Sequence, residues 1–123
     1  MRAKILIVDD EELFLDSLGE ALSNNEYKIF KASRGKDAID GFKKLKPDVV
    51  ILDVRLPDAN GFEILGWLRQ HPDFGKLPIV MVTAETEAED VLQGLRGGAD
   101  GYIFKPFQAE ALIQCIRKVL NIS

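Results

Sequence analysis

Cysteine and long apolar runs are scarce in this sequence of 123 residues. Cys115 is the one cysteine, so no intrachain disulfide and no CxxC metal or redox pair can form. The first strongly apolar run, Ile5 to Val8, is only four residues long before acidic residues interrupt it. That is too short for the core of a signal peptide or for a membrane span. We therefore expect a cytoplasmic protein without membrane contact.

A surplus of positive charge is also missing. Sixteen Lys and Arg stand against 20 Asp and Glu, which gives a formal net charge of -4. Binding to duplex phosphates requires clustered basic residues, so we expect no direct nucleic-acid binding. One local basic cluster exists, and we interpret it as a solvated helix face: Lys36, Lys43, Lys44 and Lys46. His71, the single histidine, is expected to lie solvated in a loop.

What the sequence does contain is a regular alternation of five short apolar runs with five amphipathic stretches. Such alternation predicts βαβ units and a parallel sheet with helices on both faces. The chain is long enough for one core and no more. We therefore expect one (βα)₅ domain over residues 1–123, with strands at residues 5–8, 29–30, 49–52, 79–82 and 102–104.

The composition of the runs predicts their order in the sheet. Runs one, three and four are wholly apolar, as expected of strands that are buried on both faces. The second is flanked by Lys28 and Lys31 and the fifth is short, which favours edge positions. With right-handed crossovers the order is 2-1-3-4-5, and ligands bind such doubly wound sheets outside the carboxyl ends of the strands.

Polar residues follow four of the five runs and would meet at that edge. They are Asp9, Asp10, Asp53, Thr83 and Lys105. Three carboxylates at close quarters repel one another unless a cation lies between them. Hard oxygen ligands suit Mg²⁺ better than Zn²⁺, and Mn²⁺ could replace it.

A carboxylate in this setting can act as a nucleophile toward phosphorus. Asp53 would form an aspartyl phosphate if positive charge neutralised the phosphoryl oxygens during transfer. The Lys105 ammonium would supply part of that charge, and the Thr83 hydroxyl would donate a hydrogen bond.

In this combination the sequence resembles the receiver domain of two-component (phosphorelay) response regulators along essentially its whole length. The motifs that carry the resemblance are Asp9-Asp10, Asp53-Val54-Arg55-Leu56-Pro57 with Gly61 following, Thr83-Ala84, and Lys105-Pro106-Phe107. The resemblance implies the CheY-like variant of the flavodoxin-like fold. It also implies a cis peptide bond before Pro106.

The resemblance further implies a chemical role for each site residue. Asp53 would accept a phosphoryl group from a histidine kinase or a histidine phosphotransfer protein. Asp10 and Asp53 would ligate Mg²⁺ directly, Asp9 through water, and the Arg55 backbone carbonyl would complete the protein ligands. Lys105 would contact the phosphoryl group or Asp53. The domain would be a signalling switch that catalyses its own phosphorylation and dephosphorylation rather than an enzyme.

Signal output is implied in the same way. Phosphorylation would shift the Thr83 hydroxyl and turn Tyr102 inward. The fourth predicted helix lies around Leu92 and the fifth around Ile116. The face formed by these two helices and the fifth strand would then bind a downstream partner or effector domain, or a second copy of the chain as a homodimer.

Among members of this family, the residue type varies at two positions at the mouth of the site. They are Arg55 and Glu85, each two positions after a site residue. We hypothesise that their opposite charges pair across the opening and slow the access of water to the phosphoryl group.

Three other functions fit parts of the pattern. An aspartyl-phosphate phosphohydrolase would need an acid two residues after the nucleophile, where Arg55 stands. An FMN or nucleotide module would need a glycine-rich turn after the first strand, where residues 9–12 are all acidic. A degenerate receiver that acts only as a protein-interaction module remains open, although the intact set of five polar residues argues against it.

Overall fold

The five apolar runs form one parallel sheet in the computed structural model, which describes residues 3–23, 27–83, 92 and 97–120. The order β2-β1-β3-β4-β5 confirms the predicted topology. The strands are β1 (Lys4–Val8), β2 (Lys28–Ala32), β3 (Val49–Asp53), β4 (Ile79–Thr83) and β5 (Gly101–Phe104).

Within the described residues, four helices cover the sheet: α1 (Glu12–Ser23), α2 (Gly35–Leu45), α3 (Gly61–Gln70) and α4 (Ala109–Val119). The fourth predicted helix falls in a stretch of which the structure describes only Leu92, so α4 is the fifth helix of the sequence prediction. No helix among the described residues has the length and apolarity that crossing a membrane requires.

The strands carry the burial expected from their composition. All five residues of β3 and of β4 are buried, whereas β2 and β5 at the edges are partly exposed. Successive side chains of a strand point to opposite faces, so the sheet divides the core into two clusters. Leu6, Val50 and Met81 pack with α2 and α3 on one face, and Ile7, Ile51 and Val80 pack with α1 and α4 on the other.

The beginning of α2 is capped from a distant loop. Its N-cap residue, Arg34, makes no side-chain capping bond. Instead the Asp58 carboxylate accepts hydrogen bonds from the backbone N–H of Gly35 (2.7 Å) and of Lys36 (3.1 Å). The bonds from Gly35 and Lys36 hold the pKa of Asp58 below its ordinary value. Asp58 therefore ties α2 to the loop that follows Asp53.

At the opposite edge of the sheet, Arg69 at the end of α3 joins three segments. Its guanidinium donates to the carbonyls of Leu77 (2.7 Å) and Gly98 (2.8 Å) and to the Asp100 carboxylate (2.7 Å). The backbone N–H of Ile79 donates to the same carboxylate. These bonds fix the starts of β4 and β5 relative to α3.

Two glycines of α3 offer a matched test of this packing. A Cβ at Gly61 would overlap the carbonyl oxygen of Asp53 and lie 2.9 Å from the Cα of Val54, whereas a Cβ at Gly66 would have nothing within 4 Å. Gly61→Ala is expected to lower the free energy of unfolding by about 1–3 kcal/mol. Gly66→Ala should raise it by about 0.5–1 kcal/mol, because alanine is the better helix former. Urea unfolding measures both, and equal effects at the two positions would contradict this packing.

Candidate functional site

The predicted carboxylate cluster forms where β1 and β3 end side by side. Val8 pairs with Leu52 in the ladder between these strands, so the residues that follow them meet at the carboxyl edge. Asp9, Asp10 and Asp53 each place one carboxylate oxygen within 4.8 Å of the others. Asp9 is 1% exposed and Asp53 is 8% exposed, whereas Asp10 faces solvent. These three hard oxygen donors fit a small divalent cation such as Mg²⁺.

Lys105, which follows β5, reaches this cluster from the far side of β4. Its ammonium donates to Asp9 Oδ2 at 2.7 Å and to Glu11 Oε1 at 3.3 Å, and it lies 3.6 Å from Asp53 Oδ2. It also stands 4.3 Å from the centroid of the Phe14 ring. Sequence patterns did not identify Glu11 or Phe14 as neighbours of this lysine.

The backbone positions Lys105 for these contacts. Its N–H donates to the carbonyl of Thr83 at 2.8 Å, which continues the ladder between β4 and β5 by one residue. The Lys105–Pro106 peptide bond is cis, as the resemblance implied. The side chain therefore leaves the end of β5 beside the end of β4.

Asp9 uses both of its carboxylate oxygens within the protein. Oδ1 accepts a hydrogen bond from the backbone N–H of Glu11 at 2.9 Å, and Oδ2 accepts from Lys105. A carboxylate between a strand and a helix can support the first turn of that helix. Asp9 orders the turn into α1 and belongs to the site as well.

The environment of Asp53 disfavours its charged form. Burial is the main reason, followed by the negative charge of Asp9, and together they raise the pKa of Asp53 to about 6. The Lys105 ammonium and a 3.2 Å hydrogen bond from the Arg55 N–H act in the opposite direction.

For Lys105 the balance is reversed. Burial alone would lower the pKa of its ammonium, but the hydrogen bond to Asp9 and the charges of Asp53 and Asp9 outweigh it. The pKa of Lys105 is therefore raised above its ordinary value, and the side chain stays charged throughout the neutral range.

Thr83 and Tyr102 lie on the strands next to the cluster. Thr83 ends β4 at the carboxyl edge and is buried. Tyr102 pairs with Met81 in the ladder, two residues before that edge. Its ring centroid is 5.4 Å from that of Phe104. The structure thus places Thr83 at the edge that holds the carboxylates and Tyr102 one strand further out.

Arg55 is exposed in the loop between β3 and α3. An antiparallel bridge pairs it with Asn60, whose side chain caps α3 by accepting from the Phe62 N–H at 2.8 Å. Glu85, its hypothesised partner, lies outside the described residues, so the pairing of Arg55 with Glu85 stays a prediction.

Comparison with known proteins gives one consistent family. A family model described as "Response regulator receiver domain" matches residues 5–117. The chain is 39% identical over 121 residues to the DNA-binding response regulator MtrA of Mycolicibacterium paratuberculosis, which covers 98% of this chain and 52% of that protein. The chain thus spans about half the length of the curated relatives it matches.

Solved structures agree with this result. The chemotaxis response regulator CheY4 of Vibrio cholerae superposes with a TM-score of 0.91 at 33% identity, covering 97% of this chain and 99% of that one. A CheY-like response regulator receiver domain protein from Methanospirillum hungatei JF-1 also gives a TM-score of 0.91, at 28% identity, with 98% and 95% covered. The chain therefore belongs to the response regulator receiver domain family of two-component signalling.

Proposed function

We propose that Asp53 is the phosphoacceptor of this receiver domain and that residues 1–123 form a single such domain. One observation carries the proposal: the Lys105 ammonium stands 3.6 Å from a carboxylate oxygen of Asp53 while bonded to Asp9. A buried carboxylate beside a fixed cation has both the nucleophile and part of the charge that phosphoryl transfer requires.

In the proposed reaction a carboxylate oxygen of Asp53 attacks the phosphorus of a phosphohistidine. The P–O bond forms as the P–N bond breaks, and the imidazole leaves with the electron pair of that bond. Lys105 neutralises the phosphoryl oxygens, and the Thr83 hydroxyl donates a hydrogen bond to one of them. The product is a mixed anhydride that water hydrolyses, so the domain would also catalyse its own dephosphorylation.

Mg²⁺ would be held by Asp10 and Asp53 directly and by the Arg55 backbone carbonyl, with Mn²⁺ as a substitute. Because both oxygens of Asp9 already accept hydrogen bonds within the protein, a contact through water suits that residue best. When bound, the metal would neutralise charge on the transferring group. It would also offset the repulsion between Asp9 and Asp53.

The phosphodonor would be a histidine kinase or a histidine phosphotransfer protein. The surface next to the site supports docking of a protein, because Leu13 in the first turn of α1 is 87% exposed. A phosphodonor protein that reaches Asp53 would cover this exposed leucine and remove its side chain from water. Leu13 follows the acidic residues of the site directly in the chain.

The output face would combine the fourth predicted helix with β5 and α4. Tyr102 and Phe104 lie in contact on edge strand β5, and Phe104 pairs with Thr83 in the ladder. A shift of Thr83 at the end of β4 would therefore move these two rings. A downstream effector, or a second copy of the chain as a homodimer, would bind this face. We also propose a cytoplasmic location for the protein. Arg55 and Glu85 would modulate the lifetime of the phosphoryl group on Asp53.

Phosphorylation can be tested by intact mass after treatment with acetyl phosphate. The wild type is expected to gain one phosphoryl group in the presence of Mg²⁺ and none in EDTA, and Asp53→Asn should gain none. Asp58→Asn is the control, because this carboxylate caps α2 and should not affect the mass gain. A wild type that stays unmodified at saturating Mg²⁺ would identify a degenerate receiver.

In the absence of metal, ionisation of Asp53 should lower the free energy of unfolding. Because its pKa rises from 3.8 to about 6 on folding, stability is lost as the pH rises through that window, where the unfolded chain ionises first. In EDTA, Asp53→Asn is expected to be more stable than wild type at pH 7 by about 1–2 kcal/mol after allowance for solvent screening. Below pH 3.8 the advantage should vanish.

Asp58→Asn gives the opposite sign and serves as the control. The pKa of Asp58 is lowered on folding, so its stabilising effect is present above its ordinary pKa and is lost as the pH falls through the folded value. Denaturant unfolding at several pH values measures both variants. Destabilisation by Asp53→Asn at neutral pH in EDTA would show that the charge balance around Asp53 is wrong.

A substitution at Leu13 can separate docking of the phosphodonor protein from the chemical step at Asp53. Leu13→Ala is expected to slow phosphotransfer from a phosphohistidine protein about five- to tenfold, because the exposed leucine would be buried in that complex. The rate with acetyl phosphate should not change. Leu92→Ala, which removes another exposed leucine, is the control for transfer. Equal slowing with both donors would place the defect in the site instead.

A further inference from the structure

A groove at the amino edge of the sheet has no part in the phosphorylation site. The end of α2, the turn into β3 and the loop between α3 and β4 enclose a volume of about 600 Å³. Three lysines line it, Lys43, Lys46 and Lys76, together with the apolar side chains of Pro47, Phe74 and Leu77. Its size lies in the range of ligand-binding pockets.

A cluster of tilted aromatic rings supports this groove. The Trp67 ring centroid lies 5.0 Å from that of His71 and 6.2 Å from that of Phe74, and His71 and Phe74 are 4.8 Å apart. The Lys43 ammonium stands 5.9 Å from the Trp67 centroid. His71 lies in the loop after α3, as expected, but its ring is half-buried against Trp67 and Phe74 rather than fully solvated.

The positive charge in the groove is not neutralised from within the described part of the chain. None of Lys43, Lys46 and Lys76 forms an ion pair there. Asp73 is the one carboxylate among the lining residues. A concave basic patch on a protein of net charge -4 is a local excess that favours an anionic partner.

Lys46 supplies a second, independent indication. It ends α2 in the left-handed conformation, with φ 48° and ψ 64°, where glycine or asparagine is usually found. A lysine at this position is less stable than a glycine would be. The conformation places a residue of the groove under backbone strain, and such strain is concentrated at functional sites.

We propose that this groove binds a short acidic segment of a partner protein. An apolar side chain of the segment would pack on Pro47, Phe74 and Leu77, and its flanking carboxylates would meet the three lysines. No arginine lines the groove, which disfavours a phosphate ligand because arginine forks are the usual phosphate readers. Three lysines are also too few to hold duplex DNA firmly.

The position of the groove makes this binding compatible with phosphorylation. It lies before the start of β3, whereas Asp53 ends that strand, and five residues of extended chain separate the two by roughly 16 Å. A bound segment would therefore leave Asp53 open to its phosphodonor. A partner could remain attached to the domain while the phosphoryl group is transferred.

The test uses Trp67, the only tryptophan in the chain, as a fluorescent reporter. The probe is a capped six-residue peptide in which Leu-Phe is flanked on each side by two acidic residues. We expect saturable binding with a dissociation constant of roughly 100 μM at low salt, weakened at least threefold when the salt is raised tenfold. The same peptide with lysines in place of the acids should not bind.

Variants locate the binding on the protein. Lys46→Gly and Lys76→Ala should each weaken the affinity about three- to tenfold. Lys46→Gly should also raise the melting temperature by removing the backbone strain, so weaker binding could not be ascribed to unfolding. Lys44→Ala is the matched control, because Lys44 is exposed on α2 but does not line the groove.

Several outcomes would overturn the proposal. One is the absence of saturation up to millimolar peptide, and another is equal loss of affinity in Lys44→Ala and Lys46→Gly. Tighter binding of ATP or of a short DNA duplex than of the acidic peptide would identify a different class of ligand. Phosphorylation by acetyl phosphate at saturating peptide should proceed at the unchanged rate, and inhibition would contradict a site separate from Asp53.

Discussion

The contact between the Lys105 ammonium and the buried carboxylates of Asp9 and Asp53 is the interaction on which the site depends. Two carboxylates with little solvent exposure repel each other, and removing the half-buried Lys105 ammonium beside them would leave their charge uncompensated. Lys105 follows edge strand β5, whereas Asp9 follows β1, with β3 and β4 between them. The ion pair therefore joins residues that are far apart in the chain and meet only through the sheet, which couples the geometry of the site to the topology.

The apolar strands make this concentration of charge possible. Every residue of β3 is buried, so Asp53 is carried at the end of a strand that is fixed from both faces. Gly61 allows the following helix to pack directly on the backbone of Asp53. The Asp53 carboxylate is thus held by packing on one side and by charge on the other, and it stays ionised at neutral pH in spite of its raised pKa.

Much of this arrangement could be predicted from the sequence, because it follows from local composition. Wholly apolar runs predicted the central strands, and polar residues after those runs predicted the edge where the site lies. The capping of α2 by Asp58 could not be predicted. Asp58 lies 23 residues after Gly35 and 22 after Lys36, and only the tertiary structure brings them together. The same holds for Arg69, whose bonds span three segments, and for Glu11, whose contact with Lys105 depends on strand order.

The opposite charges of the two edges have a common origin in the parallel fold. Each helix that follows a strand begins at the carboxyl edge and ends at the amino edge, so the helix dipoles favour negative charge at the first edge and positive charge at the second. All four described helices have an acid in the first turn, and three have basic residues in the last turn. Asp9 and Asp58 lie near helix beginnings, and Lys43 and Lys46 lie at a helix end. The parallel fold therefore favours a cluster of carboxylates at one edge and a lysine-lined groove at the other, with each charge cluster stabilised by the same helices.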